Sequence, residues 1–166
     1  MKAIASLLLA LLTLYLSGDI LYHVDGVSMS PAVADGDYIR VHRGVLPERG
    51  DIVACHFPNR GRTVFVKRVV AMAGDIVYRE KGVTHVVSGG ADTALDSEYA
   101  AYYPNGAPDD YAAVVLLEDE YFVVGDNVYS SHDSRDWKDA SPDQDVGPLT
   151  RDMIIGVADA PARDGP

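Results

Sequence analysis

The sequence contains few of the residues that build metal sites or nucleic-acid-binding surfaces. Its 166 residues include a single cysteine, Cys55, which excludes an internal disulfide. The five histidines show neither His-x-x-x-His nor Glu-x-x-His spacing, so we expect no metal site and no cofactor. There are 14 lysines and arginines against 25 acidic residues, which gives a net charge of −11. A chain this acidic argues against nucleic acid as a partner, because phosphate binding needs a basic surface.

Charge is also missing from one long N-terminal run. Residues 3–18 read AIASLLLALLTLYLSG, and the mostly apolar character continues to Val24. This predicts a membrane anchor within residues 1–24, formed by one transmembrane helix. Lys2 places its N-terminus in the cytoplasm and the remaining chain outside the cell membrane. The alternatives are a cleavable secretory signal and a buried core helix, of which the helix is disfavoured because the run is apolar on all sides.

The rest of the sequence reads mainly as β-strands. Eight short runs rich in Val, Ile, Tyr and Phe begin at residues 37, 51, 63, 75, 84, 111, 121 and 153, and Gly-Asp turns separate several of them. The pattern predicts one all-β domain over residues 25–158, a sandwich or a barrel-like sheet. We expect a loop-rich insertion at about 88–111, a polar loop at about 136–145 and a tail at 159–166.

Two residues stand out as candidates for chemistry. In VFVKRVV, strand alternation places Lys67 on the same face as Phe65 and Val69, and burial among apolar neighbours would lower the pKa of its amine. A neutral amine can act as a general base. Ser28 lies in the turn sequence GVSMSPAVADGD, and a serine hydroxyl needs such a base to become a nucleophile. Taken separately, each has an ordinary alternative: a lysine that extends to water and a serine that only forms a turn.

Three other groups invite a catalytic reading that we do not favour. SSHDS contains Ser, His and Asp, but neighbours within one turn cannot easily align as a triad, so His132 is not expected to be catalytic. His42 and His56 are expected on strand surfaces. Cys55 is expected in the core, where free cysteines are usually found.

Four stretches in chain order, together with the apolar N-terminus, resemble the type I signal peptidases. GVSMSPAVADGD resembles the Ser-Met box of that family, and RGDIVACHFP the strand that follows it. VKRVVAMAGD is similar to the Lys-Arg box, and YFVVGDNVYSSHDSR to the Gly-Asp-Asn box. VGPLTRDMIIGVA resembles the closing strand. The resemblance covers about residues 20–80 and 120–158 and implies a mainly antiparallel β fold.

The resemblance assigns roles by position. It implies that Ser28 is the nucleophile, with its backbone N–H as the oxyanion donor, and that Lys67 is the general base. Ser131 would hydrogen-bond the lysine amine and orient it, and Asp133 and Arg135 would form a structural ion pair behind the site. Supporting and substrate-contacting positions follow in the same way: Gly125, Asp126 and Asn127 for the turn of the site, and Gly26, Val27 and Met29 for substrate binding.

The sequence departs from the family pattern in several places. Gly26 stands where some members carry a serine that adds a hydroxyl to the oxyanion hole, so the main chain would have to do more there. Further differences lie at Ala32, Ala71, Ala73, Val128 and Tyr129 and in the lengthened loop DWKDASPDQD. These changes leave the Ser-Lys pair intact and affect substrate fit and loop detail.

The implied activity is that of a single-pass, membrane-anchored serine endopeptidase. It would remove signal peptides with small residues before the cleavage site from exported preproteins, outside the lipid bilayer, through an acyl-enzyme. Three alternatives stay open: a conjugation- or pilus-type Ser-Lys peptidase with a dedicated substrate, a self-cleaving SOS-type repressor, and an inactive anchored β-domain that binds exported chains. The apolar N-terminus and the acidic charge argue against the repressor.

Overall fold

The protein is described by a computed structural model over residues 4–6, 18–58, 60–96, 109–136 and 147–161. The segments with sequence predictions that lie outside these ranges are residues 1–3, 7–17, 97–108, 137–146 and 162–166. Eleven strands occur in the described residues: β1 Ile20–His23, β2 Tyr38–Arg43, β3 Ile52–Cys55, β4 Phe65–Met72, β5 Ile76–Glu80, β6 Val83–Ser88, β7 Ala91–Ala94, β8 Tyr111–Val115, β9 Glu120–Val124, β10 Leu149–Thr150 and β11 Ile154–Ala158. Three short 3₁₀ turns span Val128–Ser130, Ser134–Asp136 and Arg151–Met153.

The strands form two antiparallel sheets. The larger sheet has the order β1-β2-β11-β3-β4-β9-β10, and the smaller has the order β7-β6-β5-β8. All strand pairs given by register in the described residues are antiparallel. The expected mainly antiparallel β fold is therefore confirmed, and each of the eight predicted runs contains a strand.

The N-terminal segment differs from the prediction at its end. Residues 20–23 were assigned to the anchor, but they form β1, with Tyr22 opposite Ile39 and His23 opposite Tyr38 of β2. Apolar composition did not distinguish these residues from the run before them, whereas pairing with β2 does. In the part of the chain that the structure describes, no helix combines the length and the apolar character needed to cross a membrane.

Three clusters of buried side chains hold the sheets together. One lies around Val53, Val69 and Val123 of the large sheet. A second packs the residues around the Ser28 turn, including Met29 and Val33, against Ile39 and Val41 of β2. The third joins the two sheets, with Phe122 fully buried between them. Burying each such side chain contributes about 1.5–3 kcal/mol.

One part of the large sheet leaves strand edges available beside the Ser28 turn. β9 pairs with β4 only from Arg68 to Met72, so it does not cover the Phe65–Lys67 half of that edge. Among the described strands, β1 lies at the edge of the sheet and pairs with β2 alone. Both edges therefore carry backbone groups that a further extended chain could pair with.

Candidate active site

The turn that carries Ser28 is fixed by buried side chains and backbone contacts. Met29 is 1% exposed, and the N–H of Val33 donates to the Met29 carbonyl at 2.9 Å. Gly26 adopts a φ of +123°, a conformation that favours glycine, while its N–H donates to the Asp35 carboxylate at 2.8 Å. Ser28 between them stays partly exposed, as a nucleophile must.

Lys67 reaches the same place from β4. Strand alternation gives this strand the burial that the sequence predicted, with Lys67 2% and Val69 0% exposed. Val53 of β3 lies opposite Lys67 in the sheet, and Phe65 is a near neighbour, with its ring centre 6.0 Å from Nζ. The amine is therefore surrounded mainly by apolar groups.

The Ser28 hydroxyl and the Lys67 amine are in direct contact. Lys67 Nζ lies 2.8 Å from Ser28 Oγ, within hydrogen-bond distance. Burial lowers the pKa of Lys67 below its ordinary value, while the charge of Asp133 opposes part of that shift. A lysine of lowered pKa against a serine hydroxyl is an arrangement that can remove the hydroxyl proton.

Asn127 holds the turn that contains Ser28 through two hydrogen bonds. Its N–H donates to the Ser28 carbonyl at 3.0 Å, and its side-chain Nδ2 donates to the Val27 carbonyl at 3.2 Å. Both carbonyls of the turn are thereby held. Within the described residues the Ser28 N–H makes no hydrogen bond, so it can donate to an incoming oxygen.

Asp133 and Arg135 form a buried, bidentate ion pair next to this turn. Arg135 Nε and Nη2 lie 2.9 and 2.6 Å from the two carboxylate oxygens, and Asp133 is 0% exposed. The Gly125 N–H also donates to this carboxylate, at 2.8 Å. Burial would raise the pKa of Asp133, but Arg135, Gly125 and the Ser131 hydroxyl together hold it below its ordinary value.

The contact of Ser131 differs from the predicted one. Its hydroxyl donates to Asp133 at 2.6 Å, and among the described residues no hydrogen bond joins it to Lys67. The single hydroxyl proton of Ser131 is used on the Asp133 carboxylate, so its oxygen could meet the Lys67 amine only as an acceptor. Ser131 therefore belongs to the Asp133 network in this structure.

Gly125 allows the two halves of the site to approach each other. A Cβ on this residue would lie 2.2 Å from Ser131 Oγ and 2.5 Å from the Ser28 carbonyl oxygen. Such distances are impossible for real atoms, so any side chain here would push the Ser28 turn away from its support. The requirement for glycine here is thus one of space and not of backbone angle.

Two arginines of the site were missed by sequence reasoning as individual residues. Arg68 forms a bidentate pair with Asp126, at 2.8 and 2.6 Å, and thereby ties β4 to the turn after β9. The sequence signal that could have indicated Arg68 was its place after Lys67 in the Lys-Arg box, with Asp126 in the Gly-Asp-Asn box as its partner. Arg79 of the small sheet is 3% exposed and donates to the carbonyl of Arg135. No motif indicated Arg79, because its partner lies 56 residues away.

A groove runs along the Ser28–Lys67 pair between the two free strand edges. It has a volume of about 370 Å³ and is lined by residues 22–26, Ser28, Met29 and 63–67. Gly26 and Met29, two of the three predicted substrate-binding positions, are among the lining residues. Val27 is 45% exposed and is not among the lining residues, so the structure does not bring it into the groove.

Of the residues that were not expected to be catalytic, none in the described chain hydrogen-bonds Ser28 or Lys67, although the Cys55 thiol is close enough to affect the pKa of Lys67. Burial raises the pKa of the Cys55 thiol to about 12, and the residue is in the core as predicted. His132 contacts Asp136 and Arg60. His42 is partly exposed and lies between Asp19 and Asp159, whose carboxylates raise its pKa. No group of three potential metal ligands occurs within the described ranges.

A hydroxyl against a buried lysine, beside a groove with free strand edges, places the protein among the serine hydrolases of mainly antiparallel β fold. Comparison with known proteins gives the family. A sequence model described as "Signal peptidase, peptidase S26" matches residues 1–162. The chain therefore belongs to the peptidase S26 family of signal peptidases, and it is a serine peptidase.

Similar proteins among the comparisons are described as signal peptidase I. The chain is 31% identical over 144 residues to a signal peptidase I of Bacillus amyloliquefaciens, which covers 82% of this chain and 72% of that protein. It is 30% identical over 168 residues to a signal peptidase I of Bacillus subtilis subsp. natto, with 93% and 84% covered. A solved signal peptidase I from Enterococcus faecalis is 24% identical and aligns with a TM-score of 0.43 over 68% of this chain and 97% of that chain.

Proposed function

We propose that the protein is a membrane-anchored endopeptidase that removes signal peptides from exported preproteins through a Ser28–Lys67 dyad. The observation that carries the proposal is the 2.8 Å contact between a partly exposed hydroxyl and a buried amine of lowered pKa. Family membership supports signal peptide cleavage as the reaction class. A domain that only binds exported chains would have no use for a buried lysine at this position, since burying it costs free energy.

The geometry supports the following sequence of steps. Neutral Lys67 accepts the proton of the Ser28 hydroxyl as its oxygen attacks the scissile carbonyl. The developing oxyanion accepts a hydrogen bond from the Ser28 N–H. Lys67 then passes the proton to the leaving amine, and an acyl-enzyme remains on Ser28. A water molecule, with Lys67 again as base, releases the signal peptide as an acid and regenerates the hydroxyl.

Substrate binding follows from the free strand edges. A peptide extended along the groove would pair with the Phe65–Lys67 edge of β4 and with the chain from β1 to Gly26. The groove floor is apolar and shallow at Val24, Met29 and Val66, which suits small side chains before the cleavage site. Gly26 offers no hydroxyl, so the oxyanion depends on main-chain donation.

The test uses a preprotein with an Ala-x-Ala site in membranes that contain the protein. Ser28→Ala should lower the cleavage rate by about 10³-fold or more, because the nucleophile is lost. Ser30→Ala, two residues away in the same turn, is the matched control and should cleave at a rate close to wild type. Equal cleavage by wild type and Ser28→Ala would sink the peptidase assignment.

We also propose that residues 3–18 anchor the protein in the membrane. Charge is absent from this run, and the chain enters β1 two residues after Gly18 and the groove wall at Tyr22. Ser28 would then work close to the bilayer surface. In the same membranes, an alkaline carbonate wash should leave the activity in the pellet, and its appearance in the supernatant would contradict the anchor.

Gly125→Ala is expected to inactivate the protein although neither Ser28 nor Lys67 is substituted. The added methyl group has no room between Ser131 and the Ser28 carbonyl, so the nucleophile turn must shift. A displacement of about 1 Å can cost about 10²-fold in rate, which is the loss we expect in kcat.

Gly156→Ala is the control for this steric effect. Its methyl group would meet the His42 carbonyl oxygen at 2.2 Å, in β11 and away from the groove. It should lower the thermal unfolding temperature but leave kcat per folded molecule close to wild type. A Gly125→Ala protein with wild-type kcat would show that the turn tolerates the shift.

A further inference from the structure

The groove wall carries one acidic side chain that the catalytic arrangement does not use. Asp25 lies among the lining residues, next to Gly26 and three residues before Ser28. It is exposed, and the described part of the chain gives it no ion pair or hydrogen bond. The neighbouring Asp35 differs, because its carboxylate accepts the Gly26 N–H and so supports the turn.

Chain alternation decides which way Asp25 faces. Ile20 and Tyr22 of β1 are partly buried, whereas Leu21 and His23 are exposed. The alternation continues beyond the strand, with Val24 8% exposed and Asp25 exposed. Val24 therefore belongs to the floor of the groove and Asp25 to its rim, together with His23.

An extended peptide in this groove has the same alternation. Successive side chains point to opposite sides, so one set enters the floor and the other faces the rim. A small apolar side chain on the residue whose carbonyl meets Ser28 would face the apolar floor at Val24, Met29 and Val66. The second residue before the scissile bond then faces the rim that Asp25 occupies.

The negative charge of Asp25 determines which peptide side chains this rim favours. The lining also contains Lys67, whose amine is buried and contacts Ser28, so it does not neutralise Asp25. We propose that Asp25 makes the groove selective for a lysine or arginine at the second residue before the cleavage site, and against an acidic residue there. The inference rests on the proposed function, since it names the substrate preference of the same groove.

Binding to an inactive protein tests the inference separately from catalysis. The full-length Ser28→Ala protein in detergent is titrated with fluorescent peptides that carry Lys, Ala or Glu at the second position, and anisotropy gives the Kd values. The Lys peptide should bind about fivefold more tightly than the Glu peptide at low salt, the size expected of an exposed charge pair. The difference should vanish at about 1 M salt, where charges are screened beyond about 3 Å.

Two further substitutions in the Ser28→Ala background identify the residue responsible. Asp25→Asn should bring the Lys-to-Glu ratio close to one. Glu118→Gln removes the same charge from an exposed turn at the opposite end of β9 from Gly125, and it should leave the ratio at about fivefold. A ratio near one before either substitution, or a ratio that Asp25→Asn does not change, would overturn the inference.

Cleavage of the same peptides by the wild-type protein separates the two proposals. Cleavage without charge preference would refute the role of Asp25 and leave the peptidase assignment standing. Charge-selective binding without cleavage would support the role of Asp25 and refute the peptidase assignment. If no peptide binds, the groove is not a peptide site and both proposals fail.

Discussion

Lys67→Met is expected to abolish peptide cleavage while leaving the fold at least as stable as in the wild type. The methionine fills the space of the aliphatic stem but supplies no base, so Ser28 keeps its proton. General bases contribute about 10²–10⁴-fold to rate, and this one would act in both acylation and deacylation. We therefore expect a loss of about 10³-fold or more in kcat/KM.

The stability gain follows from the lowered pKa of Lys67. The unfolded chain binds a proton at the ordinary value near 10.5, whereas the folded protein binds it only at lower pH. The stability of wild type should therefore rise with pH between these two values and carry the full penalty of the buried charge below the lower one. Lys67→Met removes this penalty and its pH dependence. Its thermal unfolding temperature should match or exceed that of wild type, most clearly at acid pH.

The wild-type pH–rate profile and a matched variant complete this test. Activity should fall as pH drops through the lowered pKa of Lys67, because the protonated amine cannot accept a proton. Lys81→Met makes the same chemical change at a side chain that is 87% exposed, and it should alter neither activity nor melting temperature. Cleavage by Lys67→Met at the wild-type rate would remove the lysine from the mechanism.

Breaking the Asp133–Arg135 pair is expected to produce the second large effect. Arg135→Gln leaves the Asp133 carboxylate buried without its cation, and loss of one partner of a buried pair costs about 3–5 kcal/mol of unfolding free energy. Urea unfolding should show the loss. In wild type the contribution of Asp133 is present above its ordinary pKa of 3.8 and fades as pH falls through the lower folded value.

The same pair should also tune the base, and the two partners act in opposite directions. The charge of Asp133 raises the pKa of Lys67 and that of Arg135 lowers it. Arg135→Gln should therefore shift the acid limb of the pH–rate profile to higher pH, and Asp133→Asn should shift it to lower pH. Opposite shifts cannot come from a general loss of packing.

Arg68→Gln is the comparison for a second arginine–aspartate pair. Arg68 and Asp126 are also bidentate, but their side chains are 30% and 17% exposed. Solvent screens such a pair, so its loss should cost about 1 kcal/mol, and the acid limb should stay in place. Shifts of the same sign in Arg135→Gln and Asp133→Asn would refute the electrostatic account.

Much of the large sheet and the burial of Lys67 could be predicted because their signals are local. Alternation in VFVKRVV gave the burial of Lys67, and the Gly-Asp turns gave the limits of several strands. β7 and β10 were missed because one reads Ala-Asp-Thr-Ala and the other has only two residues. β1 was missed because an apolar strand next to an apolar run has no distinct composition.

The contacts that assemble the site could not be predicted in the same way. Asn127 and Val27 are 100 residues apart, and Arg79 and Arg135 are 56 apart. Local patterns carry no information on such pairs. Ser131 shows the same limit at short range. The resemblance predicted a hydrogen bond between Ser131 and the Lys67 amine, whereas the Ser131 hydroxyl donates to the nearby carboxylate of Asp133.

The position of β11 has a consequence for folding. It is the last strand in chain order among the described residues, yet it lies between β2 and β3 in the large sheet. Within the described sheet, the strands on either side of Ser28 are linked to the strand of Lys67 by backbone pairing through β11 and β3. We therefore expect the contact between Ser28 and Lys67 to become fixed only after residues 154–158 have inserted, so that the pair forms as one of the last steps in assembling the large sheet.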